Sequence, residues 1–339
     1  MDFARWWCII WEVLNRRQFC ALLGIRLAGA ARESLLQQWQ RIASETDGTV
    51  GAAALCFRSG EQVSMNGGER FPLASVCKLP IAMRTLQAVD EGKLRLTDSV
   101  EVLQRDILPW VSEVAERWPK QRWFKLDELL RLMITRSDNT AVQTLFRING
   151  EAEGMAASFR QWQIQGVRVD RYEGECYLAS HGVTHAPPIA QWTPDTTQRL
   201  IKQVPLDQQY AGMQRFLTDP RDTGTPDGTV QLLHRAFRGE LLSPHSTACL
   251  IAYLEATETG KGRLRGLLPA GAVVAHKTGT AATIKGLNGA TNDVGVITLP
   301  GNAGLFAIAV YIKASTRDEA ARDRVIARMA RAAYDGWAA

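Results

Sequence analysis

The chain has 339 residues, 46% hydrophobic and 22% charged, which is a globular balance and excludes a disordered, collagen-like or coiled-coil chain. The formal net charge is only +5, and no Lys/Arg-rich stretch is interleaved with aromatics, so nothing points to nucleic acid. No run of about 18 apolar residues could span a membrane, and the length is enough for one large domain or two small ones with a sizeable core.

Residues 1–30 differ from the rest. Arg16 and Arg17 are adjacent, Phe19 and a short apolar stretch follow, and Ala28-Gly29-Ala30 closes the segment. A basic region, an apolar region and an A-x-A ending predict an export signal of twin-arginine type; an amphipathic first helix is the other reading. Six cysteines stand at 8, 20, 56, 77, 176 and 249, without the C-x-x-C spacing of a zinc or redox site. The four beyond residue 30 could pair in an exported protein or remain free thiols.

Leu35, Leu36, Trp39 and Ile42 recur at helical spacing, with Gly48 as a stop. TVGAAALCF and QVSMN read as two strands joined through Ser59-Gly60. A helix is predicted from near Ser75, and more over 126–163, where LDELLRLMITRSDN, TAVQTLFRI and EGMAASFRQW follow one another. Glycine and proline punctuate 166–226. TVQLLHRAFRG and PHSTACLIAYLEAT read as helices, the second capped by Ser243 with Pro244 in its first turn. Three strand-like runs come next, AVVAHKTGT, DVGVITLP and LFAIAVYIKAS, and a helix over about 317–334 closes the chain. Strands first, helices in the middle and strands again predict an α+β fold. Both ends build its antiparallel sheet, and an all-helical subdomain is inserted between them.

Three short motifs carry chemistry. In Ser75-Val76-Cys77-Lys78, a helix places the hydroxyl and the amine on one face. A serine needs a neighbour to take its proton before it attacks, and a lysine with a lowered pKa can do that. A chain of this length holds roughly one S-x-x-K by chance. Ser137-Asp138-Asn139 arises by chance in about one chain in twenty. It reads as a helix cap, or as a hydroxyl that relays protons beside an amide that holds a carbonyl. Lys277-Thr278-Gly279-Thr280 ends a strand, where glycine lets a ligand approach the backbone and the lysine and threonines can bind an anion.

Together and in this order, the three motifs resemble the signature of the serine β-lactamase and penicillin-binding superfamily, and class A β-lactamases most closely, over about 33–335. The resemblance implies a β-lactamase/transpeptidase-like fold: one catalytic domain over 31–339, with an extended Ω-loop region at about 166–226. It implies hydrolysis of a β-lactam amide through an ester on Ser75, with Lys78 and Ser137 moving protons. The stretch Val169-Asp170-Arg171-Tyr172-Glu173 is similar to the Ω-loop that carries the deacylating base, so Glu173 is the implied base. Arg171 is then its loop anchor, with Asp222 as the partner. Asn139, Lys277, Thr278, Gly279, Thr280, Arg263 and Trp110 are implied to bind substrate. The amides of Ser75 and Thr280 would form the oxyanion hole. The run ATNDVGVITLP resembles the class A branch that includes broad cephalosporinases. The implied chemistry needs no cofactor and no metal. The expected partner is a small-molecule β-lactam, with no nucleic acid and no membrane span, and the protein is expected to be an exported, periplasmic monomer.

Two features depart from the family pattern. Tyr177 stands four residues after Glu173, where an Asn usually helps hold the hydrolytic water. The stretch from Glu173 to Asp222 is also longer than usual by roughly thirty residues, including Pro187, Pro188 and Pro194. They keep open a slowly deacylating β-lactam-binding protein, while the shared motif trio leaves a D-alanyl-D-alanine peptidase-type penicillin-binding enzyme as a further alternative. His181 and His185 have i,i+4 spacing but read as loop histidines around Gly182. His276 reads equally as a neighbour of the site and as strand packing.

Overall fold

Alternating side chains in the terminal segments build a five-stranded antiparallel sheet. A computed structural model describes residues 33–338, so the predicted export signal and its two cysteines lie outside the described residues. Strands Thr49–Cys56 and Gln62–Met65 pair with Leu305–Lys313, Thr291–Thr298 and Val274–Thr280, so that the order across the sheet is 62–65, 49–56, 305–313, 291–298, 274–280. Val274–Thr280 is therefore an edge strand.

Successive residues point to opposite faces. Val50, Ala52, Ala54, Ile308, Val310 and Ile312 face the two terminal helices, Leu35–Ala43 and Glu319–Trp337. The Trp39 indole N–H donates to the Met329 carbonyl at 3.0 Å and ties those helices together. Residues of the other parity, Ala53, Leu55, Ala307, Ala309 and Tyr311, face the inserted helical body. Each large apolar side chain buried in these layers contributes roughly 1.5–3 kcal/mol.

The body is centred on helix Lys78–Asp90, which is buried almost all round. Helices Leu126–Thr135, Asn139–Ile148, Glu151–Gln161, Pro226–Phe237 and Pro244–Glu255 surround it. Short strand pairs also occur here, Ser99–Glu101 with Trp123–Lys125 and Phe71–Pro72 with Thr223–Gly224. Ser243 caps the Pro244–Glu255 helix by accepting from the Ser246 amide.

The structure differs from the sequence reading in two places. The apolar pattern of 126–139 suggested one helix, but the helix stops at Thr135. Ser137 turns the chain with φ +59°, and the Asp138 side chain caps the next helix. Short polar side chains compete with helical backbone bonding, which favours this break. The Gly/Pro-punctuated region 166–226 is rich in helix rather than loop: it contains Glu173–Ser180, Thr196–Lys202 and Leu206–Phe216. Its prolines stand between or ahead of these helices, where no helical N–H is needed. Leu108, Leu178 and Trp192 give it a small core of its own.

Candidate active site

Ser75 sits in a 3-10 turn, Ala74–Cys77, that runs directly into helix Lys78–Asp90. Two features press this turn against the edge strand. Buried Asn292 donates from Nδ2 to the carbonyls of Pro72 (2.9 Å) and Leu73 (3.0 Å). Gly279 packs so closely that a Cβ there would lie 2.5 Å from the Leu73 oxygen. Ala74, just before Ser75, has φ +45°. Backbone of this kind costs about 1–3 kcal/mol and persists where its surroundings enforce it.

The three motifs converge below Ser75. Lys78 is fully buried, and its Nζ donates to the Ser137 carbonyl (2.7 Å), Ser137 Oγ (3.1 Å) and Asn139 Oδ1 (2.6 Å). Lys277, also fully buried, donates to the same Ser137 Oγ at 3.1 Å and to the Thr278 carbonyl at 2.9 Å. Ser137 Oγ thus joins the two ammonium groups. Burial lowers the Lys78 pKa, with the Glu173 carboxylate opposing it. Burial, and then the nearby Lys78 charge, bring Lys277 down to about 7. The left-handed turn at Ser137 lets its neighbours point elsewhere. Asn139 donates from Nδ2 to the Trp110 carbonyl (3.0 Å), and Asp138 accepts from Ser112 Oγ (2.9 Å) and the Val114 amide (3.0 Å). The strap holding Trp110 is therefore fixed by the same tripeptide.

The opposite wall is helix Glu173–Ser180. Arg171 Nε donates to Asp222 Oδ2 at 2.5 Å, and the amides of Asp170 and Arg171 both donate to Asp222 Oδ1. Asp219 adds a second ion pair to Arg171 at 3.2 Å. Gln143 accepts from the Gly174 amide at 3.2 Å. Glu173 reaches the cleft, and the buried Cys77 thiol lies 3.9 Å from its Oε2. Burial pushes the Cys77 thiol well up, so it stays protonated and donates. Tyr177 carries an aromatic ring stacked on Trp110, with centroids 4.5 Å apart.

The resulting cleft is about 460 Å³, the size of a small-molecule site. Ser75, Ser137, Asn139, Glu173, Thr278 and Thr280 line it, as do Trp110 and Arg263. Lys78 and Lys277 lie behind Ser137 and do not line it, Gly279 faces the nucleophile turn, and Arg171 and Asp222 stand behind Glu173. Arg263 is only 3% exposed. Asp323 holds its Nε at 2.7 Å, and its Nη2 donates to Thr280 Oγ1 at 2.8 Å. Its guanidinium is aimed at the end of the edge strand, where an anion would sit.

The residues that sequence reasoning missed are polar partners: the buried Asn292 and Gln143, and the partly exposed Asp323. His276 has the parity of Val274, away from Lys277, and its Nδ1 bonds the buried Asp293 carboxylate at 2.9 Å. His181 is buried as the C-cap of helix Glu173–Ser180, whereas His185 is exposed. No cluster of three metal-ligating side chains occurs among the described residues. The four described cysteines are free.

A family model described as a beta-lactamase enzyme family matches residues 34–337. The extended-spectrum β-lactamase PER-1 of Pseudomonas aeruginosa is 31% identical over 302 residues, which is 88% of this chain and 86% of that one. A solved β-lactamase from Chitinophaga pinensis superposes with a TM-score of 0.73 at 31% identity, covering 89% of this chain and 98% of that one. An ancestral class A β-lactamase of Gram-negative bacteria gives 0.72 at 31% identity, covering 89% and 100%. With its α+β fold and a serine-lined cleft, backed by two buried lysines, between sheet edge and helical body, the chain belongs to the β-lactamase enzyme family, as a class A serine β-lactamase.

Proposed function

We propose that this β-lactamase opens its substrate through an ester on Ser75, which a water activated by Glu173 then hydrolyses. The observation that carries this reading is that Glu173 faces the same cleft as Ser75, on a helix start clamped by Arg171 and Asp222. Thr278, Thr280 and Arg263 receive the substrate carboxylate, with the Lys277 charge behind them. The lactam oxygen enters the oxyanion hole of the Ser75 and Thr280 amides, which stabilises the charge that develops there.

In acylation, Ser75 Oγ bonds to the lactam carbonyl carbon and its proton leaves to a base. Neutral Lys78 or Glu173 through a water can serve. The three acceptors already around Lys78 Nζ favour Glu173. The lactam C–N bond then breaks, and the nitrogen takes a proton relayed through Ser137 Oγ, which bonds both lysines. In deacylation, Glu173 takes a proton from water as the oxygen adds to the ester carbon. The C–Oγ bond breaks and Ser75 regains its proton. General base catalysis of this kind is worth about 10²–10⁴-fold.

A slowly deacylating β-lactam-binding protein is the second reading, favoured by Tyr177 at the place where an amide would help hold the water. Mixing the protein with a penicillin and a chromogenic cephalosporin separates the two readings. Sustained turnover with little mass adduct is expected, and a stable Ser75 adduct with little turnover contradicts it. The paired arginines and A-x-A ending of residues 1–30 support export to the periplasm. No helix among the described residues is long and apolar enough to cross a membrane.

A further inference from the structure

Tyr177 follows Glu173 by one helical turn, so both side chains project from the same face. The Tyr177 ring stacks on Trp110 at a centroid distance of 4.5 Å with 29° between the planes. The His181 ring also lies 4.3 Å from it, tilted by 51°. His181 is itself fixed, its Nδ1 lying 2.8 Å from the Tyr177 carbonyl, and burial lowers its pKa and keeps it neutral. The stack is also braced from outside. Asn139 holds the Trp110 carbonyl. Leu108, just before Trp110, and Leu178, just after Tyr177, share a buried core with Trp192 of the long segment. Burial alone raises the Tyr177 phenol's pKa, with no hydrogen-bond partner contributing. The ring, rather than the hydroxyl, is what the site has fixed in place.

Trp110 and Tyr177 both line the cleft that holds Ser75 and Glu173. The carboxylate end of that cleft is Arg263 and Thr280, on the sheet edge. A substrate held there by its carboxylate, with its carbonyl at Ser75, leaves the rest of the cleft, which Trp110 and Tyr177 line, to its remaining substituent. We propose that Tyr177 is a specificity-determining residue: its stack with Trp110 forms a rigid apolar wall that selects β-lactams carrying a flat aromatic acylamino side chain. This rests on the proposed hydrolysis. The stack is already closed, so the side chain packs against the wall as a unit, and the two rings act together. Aromatic contact of this sort amounts to roughly three- to tenfold in affinity.

The test compares kcat/KM for benzylpenicillin with that for 6-aminopenicillanic acid, which has the same nucleus without the aromatic acyl group. Tyr177→Ala is expected to lower the benzylpenicillin-to-nucleus ratio roughly five- to tenfold, and Tyr177→Phe to keep it. Trp110→Ala with Tyr177→Ala should change the ratio no more than the larger single change, because one stack is lost either way. If Tyr177→Ala does not fold, Tyr177→Leu keeps apolar bulk without a π face and should still lower the ratio at least threefold. An unchanged ratio, an equal loss on both substrates, or a Phe variant that behaves like Ala overturns the proposal. Reading acylation rates by intact mass as well keeps it separate from the base assignment. If Glu173→Gln fails to trap an ester, the deacylation reading falls while the ratio of acylation rates still reports on the wall.

Discussion

The two walls of the cleft are built differently. Lys277, Thr278 and Thr280 stand on a strand bonded along its length to Thr291–Thr298, and Asn292 and Gly279 lock that strand to the nucleophile turn. Glu173 stands at the start of an eight-residue helix. One buried ion-pair cluster at Arg171 and Asp222 holds it below, and a small aromatic core holds it at the side. The ladder distributes its strength over many backbone bonds. The helix wall depends on a few side chains, so single substitutions should loosen it without disturbing the sheet.

Asp222→Asn probes that dependence most severely. It removes the charge that Arg171 and two backbone amides share, in a site where both side chains are at most 10% exposed. Breaking such a pair is expected to cost about 3 kcal/mol. Thermal unfolding should show the loss, and amide exchange should rise over 168–180 while the sheet stays protected.

Trp192→Ala comes next. Trp192 is 3% exposed between Leu108 and Leu178, and truncation of such a side chain costs roughly 3 kcal/mol. A change within 0.5 kcal/mol, as expected for a surface substitution, would show that the long segment does not brace the helix wall.

On the strand side, Gly279→Ala would put a Cβ 2.5 Å from the Leu73 oxygen. The nucleophile turn must move to make room. A displacement of this kind is expected to lower kcat/KM about 100-fold with little change in melting temperature. Equal activity would mean that the turn is not held by this contact.

The smallest effect concerns pH. Lys277 releases its proton near 7 in the folded protein, and its charge favours the substrate carboxylate. Therefore kcat/KM should fall as pH rises through about 7, by up to roughly tenfold per unit, since kcat/KM reports the free enzyme. Lys277→Arg keeps its charge and should remove that limb. The stability effect has the opposite sense. Between about 7 and the ordinary lysine value of 10.5 the unfolded chain holds the proton that the folded chain has lost. The Lys277 contribution to stability therefore rises with pH across that window.

The sheet was legible because period-two apolar runs have few other solutions, and the helical body because its leucines recur at helical spacing. The site's reactive groups were legible as motifs, since Ser75 and Lys78 are three residues apart on one helical start, and Ser137, Asn139 and Lys277 meet through short bonds. What holds them was not. Asn292 and Asp323 act across the fold, and nothing in their own neighbourhoods announces a distant partner. The helices between 173 and 216 were also obscured, because they are short and separated by prolines. Their apolar residues, Leu178 and Trp192, find each other and Leu108 only in three dimensions.

In the proposed mechanism Glu173 breaks the ester formed on Ser75. Replacing it by Gln and mixing the variant with benzylpenicillin, with intact mass followed over minutes, tests this most directly. A stable adduct that maps to Ser75 is expected to accumulate, formed more slowly than in the parent because the favoured acylation base is lost as well, with turnover reduced at least 100-fold. A Glu173→Gln variant that turns over penicillin like the parent, with no accumulated adduct, would contradict it.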